Sequence, residues 1–360
     1  MGVFDAQSLD GHEEIVYGYD PVSGLRTIIA IHSTALGPAL GGTRFFPYES
    51  EEDALDDVLR LSRGMTYKAA AAGLDLGGGK AIIIGDPRKD KTERLWRAYG
   101  RIVDSLRGRY ITAEDVGTDK DDMDSIRPET RWVVGTPESD GGSGDPSPAT
   151  ARGVTRAMEA VSEHLWGTDD LAGRTVAIQG VGKVGSNLAR RLTKLGCELT
   201  VADVYRPAAE LLQTEIGAKV VGPDEILEVE CDILSPSALG RSLTVETIPK
   251  LACKAIVGSA NNQLAGPGDA DAIAARGILY APDFVVNAGG LINVHEELRG
   301  YDVQRAALAV DKVYDNTRRV LEDSASNGKT PHQAALDLAE QRVHDIGNLR
   351  LFRRSGDDRN

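Results

Sequence analysis

The residues best placed for chemistry lie in one stretch, Gly64 to Lys80, which reads GMTYKAAAAGLDLGGGK. Two lysines, Lys68 and Lys80, bracket a run of small residues and a triple glycine, Gly77, Gly78 and Gly79. Glycine has no side chain to hold main chain or ligand at a distance, and it permits positive φ. The spacing predicts two ammonium groups facing one cleft and acting on an anionic substrate. The competing readings are a Walker-type phosphate loop and a tight turn with a solvated lysine. A Walker loop needs G-x-x-x-x-G-K-[ST]. Here Ala81 follows Lys80 and no glycine stands five positions before Gly79, which leaves the cleft and the plain turn.

A second motif is Gly180-Val181-Gly182-Lys183-Val184-Gly185. A lone GxGxxG is weak. This one follows an apolar strand pattern, opens a helix pattern, and precedes Asp203 at the end of the next strand pattern, 18 residues after Gly185. That context is what a dinucleotide fingerprint requires. The glycines let a helix N-terminus approach a pyrophosphate, whose charge its dipole and free N–H groups favour. Asp203 can accept from the adenosine ribose hydroxyls and would repel a 2′-phosphate. NAD is therefore expected rather than NADP, with Arg206 the nearby residue that speaks for the latter. The turn as a whole, Lys183 and Val184 included, is the expected cofactor segment, although the Lys183 side chain is read as facing solvent.

If this half binds NAD, the first half must supply substrate binding and catalysis. Its candidates are Lys68, Lys80 and Asp115. Oxidation of an amino acid needs a cation to hold the carboxylate and a base for the water that attacks the iminium. A lysine becomes such a base when burial and a second ammonium depress its pKa. A carboxylate then shuttles protons to and from the departing ammonia. Two lysines and an aspartate are a sufficient set.

The elements that must position these groups can be read along the chain. HEEIVYGYD and LRTIIAIHS flank turn residues and predict a hairpin over 12–33. GPALGGTRFFPY (37–48) reads as a glycine-rich loop containing Arg44. Ser50 caps a helix expected to run to about Met65, with acids in its first turn. AIIIGD (81–86) is a buried strand, 91–107 an amphipathic helix, and 109–118 a strand ending in a polar loop. Asp115 lies just past that strand's C-terminal end, where sheet proteins place their chemistry. RWVVG (131–135) is a short strand, and SDGGSGDPSP (139–148) reads as a flexible interdomain hinge, after which Thr150 starts a helix. Beyond it, strand candidates at 174–179, 219–221, 232–234, 255–257 and 278–280 alternate with helices, the pattern of a parallel doubly wound sheet. The tail from Tyr301 reads as helical, with Thr330 capping a helix that opens on Pro331, and RRSGDDRN at the end reads as disordered.

Composition narrows the classes. The 360 residues predict two domains. A net charge of −14 argues against general nucleic-acid or lipid-surface binding. Three widely spaced cysteines and six unclustered histidines give neither a disulfide framework nor a metal site, and point to a reducing compartment. The acidic N-terminus lacks an apolar signal region, and no apolar run approaches membrane-spanning length. A cytoplasmic protein is expected.

At this point the residues carry a resemblance. The chain resembles the leucine and valine dehydrogenases of the glutamate/leucine/phenylalanine/valine dehydrogenase family almost end to end. LGPALGGTRFFPY (36–48), LSRGMTYKAAAAGLDLGGGKAIIIGDPRKDK (61–91), GRYITAEDVGT (108–118), GDPSPAT (144–150), ANNQLA (260–265) and GILYAPDFVVNAGGLINV (277–294) carry it. The resemblance implies an α/β protein of two domains with a cleft between them. A substrate and oligomerisation domain with a mixed sheet would span 1–145, and a Rossmann-type NAD domain 146–329, with the C-terminal helix (330–355) packing back on the first domain or the hinge. It implies that Lys68 pairs with the substrate carboxylate, that Lys80 is the base acting through water, and that Asp115 is the proton shuttle. Thr150 and Asn262 match positions near the nicotinamide and substrate, and Gly42 one beside the substrate. The positions matching the side-chain pocket are Leu40, Ala113, Leu291 and Val294, all apolar. They favour leucine, valine or isoleucine, with an aromatic amino acid as runner-up. Leu291 stands where leucine enzymes usually show valine, which would shift preference to shorter chains. Arg152, Ser237 with Arg241, and Ser259 depart from the family pattern on the cofactor side. A homo-oligomer, octamer or dimer, is implied.

Two other functions compete. A hydroxy-acid dehydrogenase would need a histidine base near an arginine, and no histidine sits in a glycine-rich strand-end context. A non-catalytic NAD sensor would lack catalytic groups, yet all three are present.

Overall fold

The computed structural model describes residues 11–238 and 240–349; the RRSGDDRN segment lies outside them. The chain forms two compact units, dividing at Val133/Val134 and again at Leu336/Asp337. The first division falls before residue 145 because the segment after Val134 is tied into the second unit. There the Glu297 carboxylate accepts the N–H of Gly135 (3.0 Å) and of Ser143 (2.8 Å), and the Ser143 hydroxyl. The stretch expected as a free link is thus tethered by one carboxylate.

In the first unit, β1 (Glu14–Asp20), β2 (Leu25–Ser33), β3 (Ala39–Phe46), β4 (Gly77–Ile84) and β5 (Tyr110–Glu114) form one sheet in the order β1-β2-β4-β3-β5. The hairpin and the β2/β4 pair are antiparallel, whereas β3 runs parallel to both β4 and β5. Side chains alternate across a sheet, so each face has its own cover. Helix α1 (Glu51–Ala71) lays Ala54, Val58 and Leu59 on Ile28, Ala30 and Ile82. On the other face α2 (Glu93–Ser105) lays Leu95, Trp96, Tyr99 and Val103 on Leu25, Ile29, Ile31, Ala81 and Ile83, flanked by Met123 and Ile126 of α3 (Lys120–Ile126). The Ser50 hydroxyl accepts the Asp53 N–H at 3.1 Å, capping α1 as its sequence predicts.

Two expectations are overturned here. GPALGGTRFFPY is not a loop, since Ala39–Phe46 is the strand β3. The triple glycine, for which a tight turn is the competing reading, opens β4, and none of its residues has positive φ. Glycine-rich segments read as loops by propensity, but these strands lie where neighbouring main chain leaves no room for a side chain. A methyl group at Gly41 would stand 1.7 Å from the carbonyl oxygen of Gly79. Helix α1 also runs past Met65 to Ala71, so Lys68 is in its last turn.

The second unit begins with α4 (Ser147–Trp166), three residues ahead of Thr150. Strands β6 (Thr175–Gln179), β7 (Glu198–Ala202), β8 (Lys219–Val220), β9 (Cys231–Pro236), β10 (Cys253–Ile256) and β11 (Leu279–Tyr280) form a parallel sheet in the order β11-β10-β9-β6-β7-β8. Helices α5 (Lys183–Lys194), α6 (Arg206–Ile216) and α7 (Asp269–Ala275) alternate with these strands, and α8 (Asp283–Val286), α9 (Gly289–His295), α10 (Val303–Asp311) and α11 (Val313–Asn327) follow. Strand order reverses between β6 and β9, the switch point at which doubly wound sheets bind ligands. The segment 131–135 contributes only a single bridge, Thr112 to Val133.

Helix α12 (Pro331–Gly347) returns the chain to the first unit from Asp337 onward. There Arg342 donates to the carbonyl of Leu74 (2.6 Å) and pairs with Asp75 (2.9 Å) just beyond the C-terminus of α1. No described helix is long and apolar enough to cross a membrane, and no described cluster of side chains has metal-ligand geometry.

Candidate active site

Strand alternation and register put the reactive side chains of the first unit on one face. Leu40 pairs with Gly78 and Ile111, and Gly42 with Ala113. Leu40, Gly42 and Arg44 on β3, Gly78 and Lys80 on β4, and Ala113 with Asp115 on and after β5 therefore share the face that α1 covers. Leu40 and Ala113 are buried there, and Lys80 is only 6 % exposed.

A buried ammonium must be paired. The Lys80 Nζ lies 2.9 Å from Asp115 Oδ2, and the same oxygen accepts from Arg44 Nε at 3.0 Å. Burial by itself would raise the Asp115 pKa, but the charges and hydrogen bonds of Lys80 and Arg44 outweigh it and hold the carboxyl at about 2. The other arm of Arg44 reaches Asp57 of α1 at 2.7 Å, and Asp57 also accepts from Tyr48 Oη and Arg60, each at 2.7 Å. The loop carrying Asp115 is fixed as well. The Asp115 N–H donates to Thr118 Oγ1 (2.8 Å), which donates to the Thr43 carbonyl (2.9 Å), and Phe45 N–H donates to the Val116 carbonyl (2.9 Å).

Glycines set the close approach of these pieces. A β-carbon on Gly42 would lie 2.4 Å from the Glu114 carbonyl oxygen and 2.8 Å from the Asp115 β-carbon. One on Gly78 would lie 2.1 Å from the Thr66 nitrogen of α1. Thr66, two residues before Lys68, thus packs on Gly78, two residues before Lys80. Lys68 itself is half-buried. Sequence reasoning placed Arg44 in a loop without a task and gave none to Tyr48 or Asp57. The signal was there in the arginine directly after GGT, one strand away from Asp115.

The second unit builds a different site. Gly180 adopts φ +91°, closing the turn after β6. Gly185 packs against the Gly180 carbonyl, where a β-carbon would come within 2.0 Å. Gly182 precedes α5 with no side-chain cap, and a β-carbon there would meet nothing within 4 Å. The helix N-terminus is therefore open, with the free N–H groups and dipole end that suit a pyrophosphate. Asp203, just past β7, accepts from Val181 N–H at 2.7 Å and Tyr205 N–H at 2.8 Å, which fixes it beside the turn. Arg206 is exposed and pairs with Glu210 at 2.8 Å. Lys183 is exposed and Val184 half-buried. These residues fit a dinucleotide.

Asn262 is held in the left-handed region at φ +52°, in a segment fastened by Gln263 and Asn287. The Gln263 amide donates to the carbonyls of Gly258 (2.9 Å) and Ala260 (3.0 Å), and that of Asn287 to Asn261 Oδ1 (2.9 Å). Asparagine adopts that region more readily than other non-glycine residues. Thr150 lies in the first turn of α4 and donates to the Pro146 carbonyl at 3.1 Å; a β-carbon on Gly290 would come within 2.8 Å of its hydroxyl. Leu291 and Val294 are both 7 % exposed on α9. Arg152 makes a two-pronged pair with Asp311, both contacts at 2.6 Å, and Ser237 N–H donates to the Gln179 carbonyl at 2.7 Å.

A parallel sheet with an open glycine turn and a buried lysine–carboxylate pair on a second sheet define a nicotinamide-dependent oxidoreductase. Known proteins make the class specific. Residues 12–132 match the model of the Glu/Leu/Phe/Val dehydrogenase dimerisation domain, and 203–348 that of the glutamate/leucine/phenylalanine/valine dehydrogenases. Residues 148–253 match the NAD-binding domain of D-isomer specific 2-hydroxyacid dehydrogenases, a likeness confined to the nucleotide half. The chain is 51 % identical to a leucine dehydrogenase of Bacillus cereus, covering 99 % of this chain and 98 % of that one. It is 50 % identical to a valine dehydrogenase of Streptomyces coelicolor over 92 % of each. Among solved structures, L-tryptophan dehydrogenase from Nostoc punctiforme superposes with a TM-score of 0.83 at 44 % identity, over 96 % of this chain and 99 % of that one. The chain belongs to the glutamate/leucine/phenylalanine/valine dehydrogenase family and is an amino-acid dehydrogenase.

Proposed function

We propose that the chain catalyses the reversible NAD-dependent oxidative deamination of branched-chain aliphatic L-amino acids, leucine, valine and isoleucine, to 2-oxo acids and ammonia. The observation that carries this reading is the buried Lys80–Asp115 pair on a sheet face that also presents Leu40 and Ala113. Lys68 holds the substrate carboxylate. Lys80 Nζ takes a proton from the water that attacks the α-carbon of the iminium. Asp115 takes up the proton that the substrate ammonium loses before oxidation and returns it to the departing amine, and in the reverse direction the transfers run the other way. Bound NAD supplies the two-electron acceptor for the α-hydrogen. Gly180, Gly182, Lys183, Val184 and Gly185 would hold its pyrophosphate and Asp203 its ribose, with Thr150 and Asn262 at the nicotinamide. Asp203 is the support for NAD over NADP, since its carboxylate beside the glycine turn would repel a 2′-phosphate.

Leu40, Ala113, Leu291 and Val294 offer no charge to a substrate side chain, which separates this reading from a glutamate enzyme. An aromatic side chain is the second reading, favoured by the 44 % identity to a tryptophan dehydrogenase. NADH formation with valine, leucine and phenylalanine, compared as kcat/KM, decides between them. The proposal expects an aliphatic preference, and a clear preference for phenylalanine overturns it. Dependence of the reverse reaction on ammonium separates it from hydroxy-acid oxidation. A homo-oligomer, octamer or dimer, in the cytoplasm completes the reading, supported by the match to a dimerisation domain.

A further inference from the structure

Lys80 and Asp115 form a pair that the reaction itself must disturb. When Lys80 acts as a base, it does so without its charge, and Asp115 loses a counter-ion in a site with little water to replace it. Arg44 is the group that does not change. A guanidinium stays protonated throughout the accessible pH range and binds in a fixed planar fork. Its Nε lies 3.0 Å from the Asp115 oxygen that Lys80 also contacts, at 2.9 Å. Its Nη1 is anchored 2.7 Å from Asp57, which Tyr48 and Arg60 hold in turn. The register makes this geometry obligatory. Thr43 pairs with Glu114, so Arg44 and Asp115 are the next residues along their two parallel strands.

We infer that Arg44 is a positioning residue for this reaction: it keeps hold of Asp115 Oδ2 while Lys80 gains and loses its proton, and so presents Oδ1 to the substrate nitrogen. This rests on the reading of Asp115 as the proton shuttle. Both cations converge on one oxygen, which leaves the other to meet the amine. One fork joins Asp57 on α1 to Asp115 after β5, and a lysine at position 44 would bring a point charge without that fixed planar geometry. Depression of the Asp115 pKa by Arg44 as well as Lys80 agrees with this role.

The test compares R44K, R44A and D115N in the full-length enzyme, following NADH formation with leucine from acid to alkaline pH. R44K is expected to lower kcat by about 10- to 100-fold, as a displaced catalytic group does, with the KM for NAD unchanged. Added guanidinium should restore part of the R44A activity and none of the D115N activity. If R44A does not fold, R44K carries the test through its loss of kcat at an unchanged KM for NAD. A wild-type kcat in R44K beside an inactive D115N would overturn the inference and leave the Asp115 assignment standing. So would a loss of kcat in R44A that added guanidinium does not restore, since that is the signature of a purely structural arginine. A D115N variant with wild-type kcat would instead remove the shuttle reading beneath it.

Discussion

Gly42 and Gly78 of the first unit and Gly182 of the second meet opposite surroundings. In the first, the space beside Gly42 and Gly78 is already filled by the protein's own atoms, the Asp115 loop and the backbone of α1. In the second, the space beside Gly182 is open. The first arrangement presses charged groups into a pre-paired network before any substrate arrives. The second keeps a helix N-terminus clear for a ligand. The same residue type thus marks a packing constraint at Gly42, Gly78 and Gly185 and an open surface at Gly182, and only the neighbours tell them apart.

Gly42→Ala should break the first half of that contrast with the largest effect. Its methyl would collide with backbone at Glu114 and push Asp115 from Lys80, so kcat should fall by about 100-fold or more, read in a steady-state assay with saturating NAD and leucine. Gly182→Ala should sharpen the second half. The backbone there, φ −65° and ψ −157°, accommodates alanine, and no protein atom is in the way. The melting temperature should hardly move, while the KM for NAD rises roughly tenfold, measured by calorimetry and initial rates.

Acid stability should separate the units further. The Asp115 carboxyl titrates near 2 in the folded protein against an ordinary value of 3.8. Depressed in the fold, it adds stability that is fully present above about pH 4 and lost as the pH falls towards 2. Its side chain is 20 % exposed, so the contribution is set at roughly 1–2 kcal/mol. Denaturant titrations of wild type and D115N should converge across that window. The smallest effect belongs to Arg152→Gln, which removes a partly exposed pair with Asp311. It should cost ~0.5–1 kcal/mol and leave the KM for NAD unchanged, because Arg152 is engaged with α10.

Much of the second site was legible in sequence because its chemistry is local. GVGKVG, the strand before it, the helix after it and Asp203 all fall within one β-α-β unit. In the first unit Lys80 and Asp115 were legible as candidates, but their pairing depends on three strands meeting in the order β4-β3-β5. That order also hid Arg44. The glycines around it suppressed the strand signal, and a residue read as part of a loop has no face. The same masking left a tight turn as a competing reading of the triple glycine of β4, where close packing, of Gly78 against Thr66 for one, and not φ requires glycine. The division of the chain was obscured for another reason: Glu297, which ties Gly135 and Ser143 into the second unit, is more than a hundred and fifty residues away from them in sequence.

The central claim is that Lys80, buried against Asp115, is the base of the reaction, while the nucleotide site is built independently of it. The most direct measurement is the kcat of Lys80→Ala for leucine oxidation alongside its affinity for NADH by fluorescence titration. The account predicts turnover reduced to background with NADH affinity close to wild type. A variant that kept a normal kcat would contradict it.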